Sequence, residues 1–273
     1  MIPLHFSHAN GFPGACYRKM FAHLGPGFEI GYINTIGHDP RYPVTDGWPH
    51  LVEELLARLK DYGEPVLGVG HSLGGYLTVL AAIERPELFR AIVVLDSPVI
   101  GAWAGRAFGL VKRFGLVDRV TPAGSTRDRR SHWKSSDEAF RHFRHRKTFR
   151  NFDPDCLRDY VTLGMVSGAH GVRLAFDPKI ETSIYRTIPH DIAQKLPRLS
   201  VPAGFVCGRD SEEVRRAGLA VTRKFFRVAR IAGGHLFPFE RPEAAAHAVR
   251  HMAEELLGKP FVVSLSNHER KGC

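Results

Sequence analysis

The chain has 273 residues, of which 44% are apolar, and a formal net charge of +10 at pH 7. This length and apolar content allow one substantial hydrophobic core plus an inserted subdomain. The chain contains no apolar run of the roughly 18 residues that a membrane span needs. It also opens on Ile2-Pro3-Leu4-His5-Phe6 rather than on a basic and then apolar leader. We therefore expect a globular cytoplasmic protein that does not bind membranes.

The positive charge is concentrated in the middle of the chain. Residues 101–160 contain 14 Lys and Arg against 7 Asp and Glu, whereas residues 1–100 contain 7 against 10. The basic stretch 141–150 carries phenylalanines at helical spacing, which is typical of an amphipathic helix with a solvated face rather than of a nucleic-acid site. We expect no nucleic-acid partner, although this charge would attract an anionic substrate.

Short apolar runs separated by helical stretches dominate the chain outside this basic region. Helical periodicity appears at Leu51–Leu59 and at Leu77–Arg85, and the second stretch ends before Pro86. Strands that alternate with helices indicate a parallel sheet covered on both faces. The six predicted strands are Ile2–Ser7, Glu29–Asn34, Val66–Gly70, Ala91–Asp96, Ala203–Gly208 and Arg227–Ala232.

The long gap between the fourth and fifth strands departs from this alternation. It contains a capping box at Ser135–Glu138 and a helix start at Asp153-Pro154, so we expect an inserted helical cap. The predicted division is therefore a core at 1–99, a cap at 100–189 and a second part of the core at 190–273. The polar tail from Ser264 to Cys273 is predicted to be disordered.

The segment Gly70-His71-Ser72-Leu73-Gly74-Gly75 lies between a predicted strand and a predicted helix. A strand-to-helix turn this tight leaves no room for side chains at its outer glycines and exposes the serine hydroxyl. Ser72 is therefore predicted to be a nucleophile. We expect the neighbouring His71 to point away from the reacting side and to serve packing.

Three further segments complete a pattern that resembles the α/β-hydrolase superfamily, in particular serine esterases with a helical cap. They are His8-Ala9-Asn10-Gly11-Phe12-Pro13-Gly14, Gly208-Arg209-Asp210 and Gly233-Gly234-His235. The resemblance implies an α/β fold with a mostly parallel sheet of about six strands, because the two extra N-terminal strands of many members are missing. It also implies a triad in the chain order serine, acid, histidine.

That order selects Ser72, Asp210 and His235, with Asp96 as the alternative acid. A serine hydroxyl needs a base to accept its proton, imidazole titrates near neutrality, and a carboxylate fixes the tautomer of the ring. By the same resemblance the amides of Phe12 and Leu73 would form the oxyanion hole. The loop departs from the commoner His-Gly pair, because Asn10 precedes Gly11.

The predicted function is hydrolysis of a small or medium carboxylic ester through an acyl-enzyme. Hydrolysis of a carbon–carbon bond in a diketone, of a lactone or of a thioester fits the same triad, and a non-catalytic ligand-binding protein on this fold is a further alternative. Ser72 argues against haloalkane dehalogenases and epoxide hydrolases, which attack with an aspartate. The cap residues expected to line the substrate pocket are Trp103, Phe108, Trp133 and Phe143.

No metal or organic cofactor is expected. His247 and His251 are four residues apart, but Ala248 stands where a zinc protease carries glutamate. The cysteines form no Cys-x-x-Cys pair, which argues against a zinc site and a disulfide framework. They are Cys16, Cys156, Cys207 and Cys273. The sequence leaves the oligomeric state open.

Overall fold

The structure is a computed structural model that describes residues 1–258, so the predictions for the tail and Cys273 lie outside the described residues. Within this range the strands are β1 (Ile2–Ser7), β2 (Phe28–Tyr32), β3 (Val66–His71), β4 (Phe89–Leu95), β5 (His132–Trp133), β6 (Met165–Gly168), β7 (Gly171–Leu174), β8 (Ala203–Gly208) and β9 (Arg227–Ile231).

The α-helices of the same range number fourteen, and short 3₁₀ turns lie at Gly14–Tyr17, Pro86–Leu88, Lys147–Phe149 and Leu196–Arg198. The helices are α1 (Arg18–Leu24), α2 (Pro49–Lys60), α3 (Leu73–Glu84), α4 (Ala102–Arg113), α5 (Val117–Val120), α6 (Ala123–Thr126), α7 (Ser136–Arg144), α8 (Pro154–Leu163), α9 (Pro178–Arg186), α10 (Ile192–Lys195), α11 (Glu212–Ala217), α12 (Thr222–Phe225), α13 (Phe237–Glu240) and α14 (Pro242–Leu257).

The main sheet has six parallel strands in the order β2-β1-β3-β4-β8-β9. This confirms the predicted α/β-hydrolase fold and its strand number. Alternate residues of β4 face opposite sides, so Val93 packs in one apolar cluster with α1 and α14 while Val94 packs in another with α2 and α3. Both faces are therefore buried, which explains why these strands read as continuous apolar runs.

Because every strand of this sheet runs in the same direction, all carboxyl ends meet at one edge. The register pairs Ser7 with Gly70, and His71 with Leu95. The segments that follow β1, β3, β4, β8 and β9 must therefore converge there. This edge carries the residues that the sequence nominated for chemistry.

The residues between β4 and β8 form helices α4 to α10 and a second, three-stranded antiparallel sheet in the order β5-β7-β6. The predicted N-caps are confirmed, since Ser135 accepts a hydrogen bond from the Glu138 amide and Asp153 accepts from the amides of Asp155 and Cys156. The small sheet was not predicted. Its strands have only two to four residues each, which is too short for a clear alternating pattern.

None of the helices within residues 1–258 combines the length and the apolar character needed to cross a membrane.

Candidate active site

Ser72 occupies a strained turn between β3 and α3. Its backbone has φ 53° and ψ −114°, a region that favours glycine. A Cβ atom at Gly74 would lie 2.0 Å from the carbonyl oxygen of Ser7, and one at Gly70 would lie 2.2 Å from the carbonyl oxygen of Gly74. The steric requirement for glycine in this turn is thereby confirmed, and strain of this kind is typical of functional sites.

His235 lies between Ser72 and a buried carboxylate. Its Nε2 is 3.0 Å from the Ser72 Oγ, and its Nδ1 is 2.8 Å from Oδ2 of Asp96. A carboxylate only accepts hydrogen bonds, so Nδ1 carries the proton and Nε2 is left to accept the serine hydroxyl proton. This geometry permits proton transfer from Ser72 to His235.

Asp96 is held rigidly in this arrangement. The side chain is fully buried, and it also accepts hydrogen bonds from the Gly208 amide at 2.9 Å and from the Ser211 hydroxyl at 2.5 Å. Its backbone has φ 49°, a second strained non-glycine position at this edge. Three donors therefore converge on one carboxylate and fix its orientation towards His235.

The expected pairing of Asp210 with His235 is wrong in this structure, and Asp96 takes its place. Asp210 is exposed, and its side chain makes no hydrogen bond within residues 1–258, although its amide donates to the carbonyl of Gly233. Strand order alone does not decide between the two acids, because β8, which Asp210 follows, is adjacent to both β4 and β9. The direction of the side chains decides, since that of Asp96 is buried against His235 whereas Asp210 is exposed. Next to Asp210, Ser211 is the N-cap of α11 and accepts a hydrogen bond from the Val214 amide.

Several acidic groups control the charge of His235. Burial lowers the pKa of the ring, but the hydrogen bond to Asp96 and the charges of Glu213, Asp96 and Glu240 outweigh burial, so the net pKa is raised above its ordinary value. Glu213 comes within 3.6 Å of Nδ1 from helix α11. The position of Glu213 near the site was not anticipated, since the sequence gives no signal beyond an N-terminal helix turn after β8.

Asp96, Glu213 and His235 are also the group of three potential metal ligands in the described part of the chain. The ring Nδ1 and the Asp96 carboxylate are already joined to each other by a hydrogen bond, so these atoms are not arranged as free ligands. The separate pair His247 and His251 belongs to no such group within residues 1–258.

A buried hydrogen-bond chain connects the loop after β1 with the loop that carries His235. The Ala9 amide donates to the Tyr17 hydroxyl at 3.2 Å, and that hydroxyl donates to Nδ1 of His71 at 2.7 Å. Nε2 of His71 then donates to the carbonyl of His235 at 2.9 Å. Burial lowers the pKa of His71 well below its usual value, which keeps this tautomer neutral. His71 therefore points away from the Ser72 hydroxyl, as expected, but it anchors His235 as well as packing.

His8 braces the same loop from the other side. Its Nδ1 donates to the Ala9 carbonyl at 2.9 Å, and Nε2 accepts from the Ile36 amide at 2.9 Å. Burial lowers the pKa of His8 to about 4, so the ring is neutral. The His8 carbonyl also accepts from the Gly74 amide at 3.1 Å. The loop is thus fixed directly to the elbow.

The backbone amides of Leu73 and Phe12, the two expected oxyanion donors, differ in whether they already have a hydrogen-bond partner. The amide of Leu73 has no hydrogen-bond partner within residues 1–258, while those of Gly74, Gly75 and Tyr76 are all engaged. The amide of Phe12 donates to the Ala9 carbonyl at 3.1 Å, in a turn in which Gly11 has φ +80°, so the expectation for Phe12 is not met. Along this loop the backbone amide of Asn10 has no partner in the described range, while its side-chain amide donates to the Glu181 carbonyl at 3.0 Å.

Ser72 and His235 open into a cavity of about 620 Å³, which is large enough for a small-molecule ligand. Of the predicted cap residues, Phe143 lines it. Trp133 is buried behind Phe143, with ring centroids 5.0 Å apart. Phe108 lines a second cavity of about 340 Å³ that does not contain Ser72, and Trp103 is 82% exposed. Trp103, Phe108 and Trp133 are therefore wrong as wall residues. For Trp103 and Phe108 on α4, and for Trp133 on the unpredicted strand β5, an apolar residue does not by itself reveal which way its side chain faces.

The cavity also contains residues that the sequence did not nominate. They share charge or hydrogen-bonding capacity, and they include Asn10, Arg129, Arg130, His142, Arg146, Glu181, Tyr185 and Glu213. All three arginines belong to the basic runs, Arg129 and Arg130 to 127–130 and Arg146 to 141–150. The positive charge of these runs is the sequence feature that indicates the basic lining. The helical spacing of the phenylalanines in 141–150 favours a solvated helix face instead, which is why these arginines are absent from the predicted site.

Comparisons with known proteins bear on the family and the fold of this chain. The type I acyl-CoA thioesterase mpaH of Penicillium brevicompactum is 24% identical over 168 residues, which cover 55% of this chain and 37% of that protein. The monoglyceride lipase homolog of Monkeypox virus is 29% identical over 115 residues, 39% of this chain and 40% of that protein. The chain thus spans well under half the length of these curated relatives.

Among solved structures, E-2-(acetamidomethylene)succinate hydrolase matches with a TM-score of 0.74 and 22% identity, covering 93% of this chain and 91% of that chain. This likeness shows a shared fold. The model of the alpha/beta hydrolase family matches residues 6–248, nearly the whole of the described range. Together with the strand order and the serine turn, this match shows that the chain belongs to the alpha/beta hydrolase family.

Proposed function

We propose that this protein is a serine hydrolase that cleaves a small or medium carboxylic ester or thioester through an acyl-enzyme. The observation that carries the proposal is the pair of hydrogen bonds made by His235, whose Nε2 accepts from the Ser72 hydroxyl at 3.0 Å and whose Nδ1 donates to Asp96 at 2.8 Å. The chemistry needs no metal or organic cofactor.

In the first half-reaction the Ser72 oxygen attacks the carbonyl carbon of the substrate while Nε2 of His235 takes the hydroxyl proton. Asp96 keeps the ring oriented and stabilises the imidazolium that forms. Collapse of the tetrahedral intermediate breaks the bond to the leaving group, which receives the proton from His235. The acyl group is then esterified to Ser72.

In the second half-reaction His235 removes a proton from water as the water attacks the acyl carbon, and it returns that proton to Ser72 when the acid leaves. The negative oxygen of each intermediate needs amide donors. We assign this role to the backbone amides of Leu73 and Asn10, since both lack a hydrogen-bond partner among residues 1–258. Leu73 directly follows Ser72, and Asn10 lines the cavity together with Ser72.

A thioester is included because the similar mpaH protein is an acyl-CoA thioesterase. The same attack and the same acyl-enzyme serve both substrate types, and a thiolate is a better leaving group than an alkoxide. Carbon–carbon bond hydrolysis of a diketone and lactone hydrolysis also fit the triad, but no observation in the cavity favours them over an ester.

The test is turnover of p-nitrophenyl butyrate and butyryl-CoA by the wild type and by Ser72→Ala. We expect hydrolysis of at least one substrate by the wild type and its loss in the variant, with a burst of p-nitrophenol that reports the acyl-enzyme. Equal activity of the two proteins would refute the role of Ser72. Inactivity of both towards esters, thioesters, lactones and diketones would favour a ligand-binding protein on this fold.

A further inference from the structure

The cavity beside Ser72 is chemically uneven. Near the serine it is lined by Asn10, Phe12 and His235, whereas residues of the segment between β4 and β8 bring in a group of basic side chains. We call this group the basic wall, and it consists of Arg129, Arg130, His142 and Arg146.

Arg146 is the member whose charge is least compensated. Its Nε donates to Nε2 of His142 at 3.3 Å, and within residues 1–258 no carboxylate lies within ion-pair distance of it. His142 accepts that bond in its neutral form, and its pKa is lowered by burial and then by the charges of Arg146 and Arg130. Arg146 therefore presents a full positive charge and several free donors.

Arg129 is also incompletely compensated, for a different reason. Its Nη2 lies 2.6 Å from Oε2 of Glu181, but neither Nε nor Nη2 finds an acceptor with hydrogen-bond geometry in the described part of the chain. Glu181 is 4% exposed, and burial raises the pKa of its carboxyl to about 7. Near neutral pH this partner is therefore only partly ionised.

The acidic residues of the lining do not cancel the remaining charge, because each has its own basic neighbour. Glu213 lies against His235, and Asp128 lies against Arg127 at 3.4 Å. Arg130 is paired with Glu138 at 2.6 Å outside the lining. The basic wall thus keeps a positive electrostatic potential, and an anion bound there would accept hydrogen bonds from the unpaired donors of Arg129 and Arg146.

We propose that the basic wall binds an anionic group of the substrate, with Arg146 as the main contact. The proposal rests on the proposed function and narrows its substrate class to esters or thioesters that carry a carboxylate or phosphate away from the reacting carbonyl. Phe143 and Phe149 line the same cavity and offer an apolar surface for the chain that joins the two groups.

The first experiment compares two p-nitrophenyl esters of equal acyl length, the hemiglutarate, which ends in a carboxylate, and the uncharged pentanoate. For Arg146→Met we expect kcat/KM for the hemiglutarate to fall about tenfold, as expected for one charge-assisted hydrogen bond. The value for the pentanoate should stay within about twofold because the neutral ester makes no such contact.

Arg144→Met is the matched control, since Arg144 is an exposed arginine of α7 that does not line the cavity. It should leave both esters unchanged. Equal losses for the two esters in Arg146→Met would show that Arg146 does not bind the carboxylate, and so would a wild type with no preference for the charged ester. If the phosphate-bearing thioester butyryl-CoA also shows no such dependence, the proposal is overturned.

A second pair of substrates separates the two sources of anion. Butyryl-CoA carries phosphates, whereas butyryl-pantetheine has the same thioester and none. If the wild type prefers butyryl-CoA to butyryl-pantetheine and Arg146→Met does not, a phosphate binds at the basic wall. If the only preference is for the hemiglutarate over the pentanoate, a carboxylate binds there. The absence of both preferences would reject the proposal.

Measurements of anion binding test the inference even if the protein hydrolyses none of these substrates. Glutarate and inorganic phosphate are titrated calorimetrically into the wild type, Arg146→Met and Arg144→Met. Binding that is weakened in Arg146→Met alone would support the basic wall even if the proposed hydrolysis were wrong. Failure of the wild type to bind either anion would overturn it in that case.

Discussion

The two parts of the cavity are built in different ways. At the edge of the main sheet, Ser72 and Asp96 sit on strained backbone, and the Asp96 side chain is buried among three donors. In the segment between β4 and β8, Arg130 and Arg146 are exposed, and their side chains are held by two hydrogen bonds and one hydrogen bond respectively. The sheet edge is over-determined by packing, whereas the segment can change its side chains at little cost to the fold.

This difference implies a division of labour. Groups that transfer protons need fixed distances, and the sheet edge supplies them. Groups that determine substrate specificity need only to face the cavity, where they can contact the substrate. We therefore expect substitutions of Ser72, Asp96 or His235 at the sheet edge to abolish or strongly reduce the reaction, and substitutions in the basic wall to change substrate preference.

The largest effect is expected at Ser72 and His235. Ser72→Ala and His235→Ala should each lower kcat by about 10⁶, and the double variant should lose little more, because the groups act as one unit. The measurement is kcat for p-nitrophenyl butyrate in the three variants, with thermal unfolding as the control for folding. Additive losses would show that the two residues act independently.

The next effect separates the two aspartates. Asp96→Asn should lower kcat by about 10⁴, because the amide favours the wrong tautomer of His235. Asp210→Asn, an exposed residue at the same edge, should leave kcat within about twofold, as is usual for surface substitutions. The reverse pattern would return Asp210 to the role that the sequence gave it.

A smaller effect is expected from Tyr17→Phe. Losing the hydroxyl leaves the Ala9 amide and Nδ1 of His71 buried without partners, and we expect the free energy of unfolding to fall by about 1–3 kcal/mol. Because the same chain anchors His235, kcat should also fall while KM changes little. Urea unfolding and steady-state kinetics measure both.

Tyr62→Phe is the matched control for this chain. The Tyr62 hydroxyl bonds Nδ1 of His5 at 3.0 Å, away from the serine turn. This variant should lose stability without losing kcat. A fall of kcat in both variants, in proportion to stability, would show that Tyr17 has no positioning role.

The smallest effect concerns pH. The groups that face His235 are Asp96, Glu213, Glu240 and His71, and the negative charge of Glu213 contributes to its raised pKa. Proton acceptance requires the neutral ring, so activity rises as pH increases through this pKa. Glu213→Gln should therefore lower the pKa and move the acid limb of kcat/KM to lower pH.

Glu212→Gln provides the control for this shift. Glu212 is the neighbouring residue and pairs with Arg215 at 2.6 Å rather than with His235. Its pH profile should match the wild type, and added salt should diminish the Glu213 effect because an exposed charge is screened. An unchanged acid limb in Glu213→Gln would exclude Glu213 from control of His235.

The sequence predicted the sheet well because its four central strands, β1, β3, β4 and β8, are buried on both faces and so leave apolar runs. The bounds of β1 and β8 were predicted correctly, and those of the other four main strands shifted by one or two residues at either end. The small sheet β5-β7-β6 was missed because its pairing joins His132 to Arg173, far apart in the chain. Local patterns carry no information about such pairings.

What the sequence alone determined is the serine turn and the family, because glycines at 70 and 74 are required by steric contacts within a few residues and with the adjacent strand. Only the tertiary structure decided which acid contacts His235, that the backbone amide of Asn10 has no partner among the described residues, and which arginines of the two basic runs face the cavity. Those depend on which strands are neighbours and which helix face turns inward. Both are set by long-range packing, which no spacing along the chain reports.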